Sequence, residues 1–125
     1  MLDHISLQAD DSAAAAAFYL EVFASLGFRE VMRFDSPAGP VVGFSDGGDA
    51  PAFWIGPTIE ESHREAHVAF RAPDRGAVDA VHQAAVAHGV EILHGPREFP
   101  EYHPGYYAVM FRDLDGNNVE AVCHH

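Results

Sequence analysis

Three residues far apart in this chain share one chemistry. His4 opens the run "HISLQ", His67 opens "HVAFR", and Glu120 sits within "NNVEAV". Imidazole and carboxylate together suit a borderline divalent ion: Fe2+, Mn2+, Zn2+ or Ni2+. Three protein ligands leave coordination positions open for water or substrate, as catalysis requires. A carboxylate in a stretch as apolar as "VEAVC" is costly unless it is paired or bound to a cation. The segment "HGPREFPEYHPGYY" adds groups able to move protons: Tyr102, His103, Tyr106 and Tyr107. Half-buried histidines and an edge glutamate with no ligand role would account for the same letters. What favours a metal is that the two histidines hold equivalent places in a repeat.

The elements that must position these residues follow a plan used twice. In the first half, residues 4–8 alternate as a strand, with Ile5 and Leu7 toward a helix and His4, Ser6 and Gln8 away from it. Ser12 is the expected N-cap of a helix over residues 13–26, closed by Gly27. Three strands follow, over residues 28–34, 41–44 and 52–55, with Trp54 expected in the core. In the second half, residues 67–71 form the strand and Asp74 is the N-cap candidate. The helix covers residues 77–88 and ends at Gly89. A strand begins at Glu91, "HGPREFPEYHPG" reads as a loop, residues 106–111 form a strand, "RDLDGN" is a turn, and residues 118–124 form the last strand. Strand parity points Val119, Ala121 and Cys123 toward the helix, and Asn118, Glu120 and Val122 away. His4, His67 and Glu120 thus occupy the same kind of face. Only one of Tyr106 and Tyr107 can share it, and parity leaves open which.

The fold class expected is α+β. Two tandem βαβββ modules, residues 1–60 and 61–125 of a single domain, make an open, mostly antiparallel sheet around a cleft, with helices outside.

Composition bounds the function. The chain has 125 residues and a formal net charge of −12, from 19 acidic against 7 basic residues. That charge repels phosphate backbones, which excludes nucleic acid as the natural partner, and it would suit a cationic ligand. No apolar run is long enough for a bilayer, so no membrane partner is expected. A single cysteine, Cys123, and no secretory signal place the protein in the cytoplasm.

The segments "DHISLQADD" with Phe18 and Tyr19, "HVAFRAPDR" and above all "YYAVMFRDLDGNNVEAV" resemble the vicinal oxygen chelate superfamily. That superfamily includes glyoxalase I, extradiol dioxygenases, fosfomycin-resistance enzymes and bleomycin-resistance proteins. The resemblance covers essentially the whole chain. It implies a divalent metal held by His4, His67 and Glu120, a small-molecule substrate chelated through oxygens, and a homodimer. Proton transfer would fall to Tyr106, Tyr107 or His103. Glyoxalase I uses a fourth protein ligand, and aligning "FSDGGDAPAF" with "FRDLDGNNVE" puts Phe53 in its place. Phe53 is then expected to line the cleft as a substrate-binding residue, and glyoxalase I chemistry is disfavoured. Lyase or isomerase and extradiol-type dioxygenase chemistry both fit a three-liganded site. The rival reading is a metal-free drug- or metabolite-binding protein that sequesters its ligand, as bleomycin-resistance proteins do.

Overall fold

The computed structural model describes residues 2–59 and 64–125. The chain divides into two compact units, Met1–Arg64 and Glu65–His125. The boundary expected at residues 60 and 61 lies outside the described residues.

The first unit contains β1 (Ile5–Ala9), α1 (Ser12–Val22), β2 (Arg29–Phe34), β3 (Val41–Ser45) and β4 (Phe53–Pro57). Its sheet has the order β1-β4-β3-β2, with β1 parallel to β4 and the remaining pairs antiparallel. The run of alanines makes α1 a good helix former. The N-cap is Asp11 rather than Ser12: its carboxylate accepts from the Ala14 N–H at 3.0 Å. Ser12 instead begins the helix, with its hydroxyl buried and without a hydrogen-bond partner. The α-helix also ends earlier than expected. After Phe23 the chain tightens into a 3-10 turn, Ala24–Leu26, which Gly27 closes at φ 84°.

Aromatic rings on the inner face of α1 explain a second correction. Phe53 is 4 % exposed and packs against Tyr19 at a centroid distance of 4.9 Å, with Phe28 and Phe44 at 6.0 Å. It belongs to the core under α1. The neighbour that faces away from the helix is Trp54, whose ring stacks on Phe34 at 6.2 Å.

The second unit contains β5 (His67–Arg71), α2 (Arg75–Ala87), β6 (Ile92–Glu98), β7 (Tyr107–Arg112) and β8 (Asn118–Cys123). The order is β5-β8-β7-β6, again with one parallel pair, β5 and β8. Asp74 caps α2 through the Ala77 N–H at 2.8 Å, and Gly89 follows the helix at φ 73°. Val78, Val81 and Ala85 of α2 are fully buried, as are Val109 and Phe111 of β7 and Val119 and Ala121 of β8. β6 runs on through Gly95 and Pro96, where a loop was expected. An edge strand tolerates proline because no outer neighbour needs its missing N–H, and β6 shifts register on either side of His94.

Both units are therefore βαβββ modules, and the fold is α+β with two mixed four-stranded sheets. Among the described residues, no helix is long and apolar enough to cross a membrane.

Candidate functional site

β8 lies between β5 and β7, which is why the sheet can bury a carboxylate there. Glu120 is registered with Ala69 on one side and Met110 on the other. Its side chain is 2 % exposed and lies 3.2 Å, Oε2 to Nε2, from His67, which is 52 % exposed. Its other oxygen, Oε1, accepts from the Tyr106 hydroxyl at 2.6 Å. Tyr106 directly precedes β7, and the Phe99 N–H donates to its backbone oxygen at 2.8 Å. Phe99, Ala108, Met110 and Val122 form the apolar floor on which it packs.

The second ring nitrogen of His67 decides what can lie between the two side chains. Nδ1 stands 3.2 Å from the Asn118 carbonyl oxygen, which can only accept. Nδ1 therefore carries a proton, and Nε2 faces the buried carboxylate oxygen either as the protonated half of an ion pair or as a lone pair that can take a metal ion. Two acceptors do not rest at that separation unless a cation, either a proton or a metal ion, lies between them. A backbone carbonyl behind the ring is also the usual orienting partner of a metal-bound histidine. Neighbouring ligands each about 2.1 Å from one ion stand roughly 3.0–3.4 Å apart. The His67 and Glu120 pair fits that spacing.

Tyr106 keeps its proton. Burial, then the hydrogen bond to Glu120 and the carboxylate charge, hold its phenol well above the ordinary tyrosine range. A folded pKa raised above the unfolded value of about 10 means its stabilisation is complete below that pH. It is lost as pH climbs through the folded value. In an alkaline absorbance titration of the metal-free protein, one late-ionising phenol should disappear in Tyr106→Phe. An unchanged titration curve in that variant would contradict the contact.

The other expected site residues divide. Tyr107 points to α2, where its hydroxyl donates to Asp79 at 2.7 Å beneath the Arg75 guanidinium. The Asp79 hydrogen bond, then burial, raises its pKa. Tyr106 is thus the tyrosine on the face of Glu120. His103 stacks edge-on against the Tyr106 ring at 5.3 Å and bonds His124. His4 lies in the first unit, half exposed, with Nδ1 at 2.6 Å from the Asp3 carboxylate, which leaves Nε2 available. It lines an open cavity with Asp3, Ser6, Val41, Pro51 and Trp54. Among the described residues, no group of three or more His, Cys, Asp or Glu side chains is placed to hold one ion.

Sequence reasoning missed two neighbours. The strand register equates Trp54, not Phe53, with Glu120, since Ser6 pairs with Trp54 as Ala69 pairs with Glu120. Trp54 stands ten positions after Phe44 but Glu120 only nine after Phe111, so an ungapped alignment slips by one. Trp, like Phe, cannot ligate, so the first module still supplies no carboxylate at that position. His124, one residue past β8, meets the Tyr106 ring edge-on at 5.2 Å.

Comparison with known proteins follows from this geometry. The family model described as "Glyoxalase/Bleomycin resistance protein/Dioxygenase superfamily" matches residues 1–121. No curated protein matches. Among solved structures, a lactoylglutathione lyase from Agrobacterium tumefaciens is 27% identical, with 98% of this chain and 92% of that chain covered and a TM-score of 0.68. TioX from Micromonospora sp. ML1 is 22% identical, with 100% and 99% covered and a TM-score of 0.77. A glyoxalase/bleomycin resistance protein from Albidiferax ferrireducens T118 is 21% identical, with 96% and 95% covered and a TM-score of 0.74. The last two share the fold.

Proposed function

Because the chain belongs to the glyoxalase/bleomycin resistance protein/dioxygenase superfamily, we propose that it is a metal-dependent enzyme acting on a small substrate that chelates the ion through oxygens. The observation that carries this reading is Nε2 of His67 facing the buried Oε2 of Glu120 at 3.2 Å while the Asn118 carbonyl holds Nδ1. His67 and Glu120 would hold a divalent ion. On the duplication of the sequence, His4 is the third ligand. Bound there, the ion would act as a Lewis acid toward the substrate oxygens.

The remaining chemistry belongs to this chain's own groups. Glu120 supplies a negative charge that burial keeps from water. Tyr106 orients that carboxylate through Oε1 and holds a proton at its own oxygen, so it is the acid we assign. His67 is half exposed, which leaves the site open to substrate. A tyrosine that retains its proton beside an oxygen-binding site suits lyase or isomerase chemistry at a carbonyl or hydroxyl oxygen. A cytoplasmic homodimer remains our expectation from sequence and superfamily, and light scattering on the purified protein tests the dimer.

Metal content tests the reading. Untagged protein loaded with Mn2+ and then desalted should retain about one equivalent, and His67→Ala and His4→Ala should each lose it. Mn2+ retention below about a tenth of an equivalent by the wild type would refute the proposal.

One observation favours a second reading, a metal-free binder of a planar ligand. Trp54, the only tryptophan, stacks on Phe34, which is 55% exposed. Saturable quenching of Trp54 fluorescence by a planar aromatic cation in chelator-treated protein would support it. Absence of quenching would remove it.

A further inference from the structure

A second pair of metal-ligating nitrogens lies in the second unit, built from residues other than His67 and Glu120. His103 Nε2 and His124 Nδ1 are 3.0 Å apart, and the two rings lie nearly parallel with centroids 5.2 Å apart. His103 Nδ1 stands 2.8 Å from the Pro104 carbonyl oxygen, so it carries the proton and Nε2 holds a free lone pair. In the metal-free protein His124 Nδ1–H donates to that lone pair. Moving this proton to Nε2 of His124 is a tautomer change with no net charge. It frees both lone pairs; the nitrogens face one another almost head-on, so the rings must turn slightly for both to point at one ion about 2.1 Å from each. The carbonyl behind His103 is again the partner that orients a metal-bound imidazole.

The end of the chain is held in place rather than loose. The His125 carbonyl oxygen accepts from Arg75 Nε at 3.2 Å and from Cys123 Sγ at 3.3 Å. Gly105, at φ 85°, lies against this segment: a Cβ there would stand 3.3 Å from the His124 oxygen and 3.4 Å from the His125 Cα. The Tyr106 ring meets both imidazoles edge-on, at 5.3 Å for His103 and 5.2 Å for His124. Both imidazoles are thus held close together before any ion arrives, which lowers the cost of binding. The net charge of −12 favours cations throughout.

We propose that His103 and His124 form a second site for a borderline transition-metal ion such as Zn2+, Ni2+ or Cu2+, with water in the remaining positions. Two neutral imidazoles select these ions over Mg2+ or Mn2+. The proposal does not depend on the function assigned to Glu120, and its test removes that residue.

Zn2+ is titrated calorimetrically into the full chain carrying Glu120→Gln, in a weakly coordinating buffer. One ion should bind per chain. Adding His103→Ala or His124→Ala should each weaken binding by at least about tenfold. Adding His125→Ala should leave it unchanged. His124 is exposed and His103 half-buried, and circular dichroism verifies the fold of each variant. No binding in the parent, unchanged affinity in His103→Ala or His124→Ala, or an equal loss in His125→Ala would overturn the site. The last of these would show chelation by the terminal histidines alone.

Discussion

Glu120→Gln abolishes Mn2+ retention while leaving the metal-free fold intact. The argument rests on what each neighbour of Glu120 needs. Tyr106 needs an acceptor, and the glutamine oxygen provides one. Nε2 of His67 needs a partner, and the glutamine amide can donate to its lone pair. The variant therefore satisfies both contacts with a neutral group of the same shape. It also removes a buried charge, a change that is often neutral or stabilising in the absence of its ion. The metal loses its anionic ligand, and its affinity should fall by about 100-fold or more. Metal analysis after desalting and a thermal melt in chelator check the two halves together. Retained Mn2+ would contradict the ligand assignment. A marked fall in the melting temperature of the metal-free variant would instead show that the carboxylate is structural.

The second large effect is on stability. Asp113, 6% exposed, accepts from the backbone N–H groups of Asp115 and Asn117 at 2.9 and 2.8 Å, and from the Asn117 side chain at 2.9 Å. Asn117 in turn accepts from the Ala66 N–H at 2.9 Å, directly before His67. This turn therefore fixes the start of β5 against the start of β8, and with it the pairing of His67 and Asn118. Asp113→Ala strips an acceptor from three donors in a poorly solvated turn. Hydrogen bonds to a charged group contribute roughly 1.5–3 kcal/mol each, and partial rehydration offsets some of that loss. A net cost of about 3 kcal/mol follows, read as a lower urea midpoint with an unchanged slope. Metal affinity should weaken alongside, because His67 loses its alignment. A loss below about 1 kcal/mol would contradict this role for the turn.

The legible parts of the fold are those that periodicity controls. The alternation in "HVAFR" and "NVEAVC" set β5 and β8 and placed His67 and Glu120 on one face, as found. Asp74 and Gly89 marked the two ends of α2 because capping is local chemistry. The misses arise where a longer-range fact decides. Pro96 reads as a strand breaker until β6 is known to be an edge. Phe53 and Trp54 exchanged faces because one extra residue in the turn after β3 shifts the register. Whether Tyr106 or Tyr107 faces Glu120 depends on where β7 begins, and the hydrogen bonds to Glu120 and Asp79 decide it. The His103 and His124 pair joins residues 21 apart through a loop whose path no periodicity describes.

The central claim is that His67 and Glu120 hold a divalent ion. Mn2+ tests it most directly, because a carboxylate site binds Mn2+ while a pair of imidazoles alone holds it poorly. Free Mn2+ gives a six-line paramagnetic resonance spectrum that fades on binding. Titrating the wild-type chain should suppress that signal until about one ion is bound per chain, and the signal should remain in both His67→Ala and Glu120→Gln. A wild-type titration in which the free-ion signal grows from the first addition, as it does in buffer, would contradict the account.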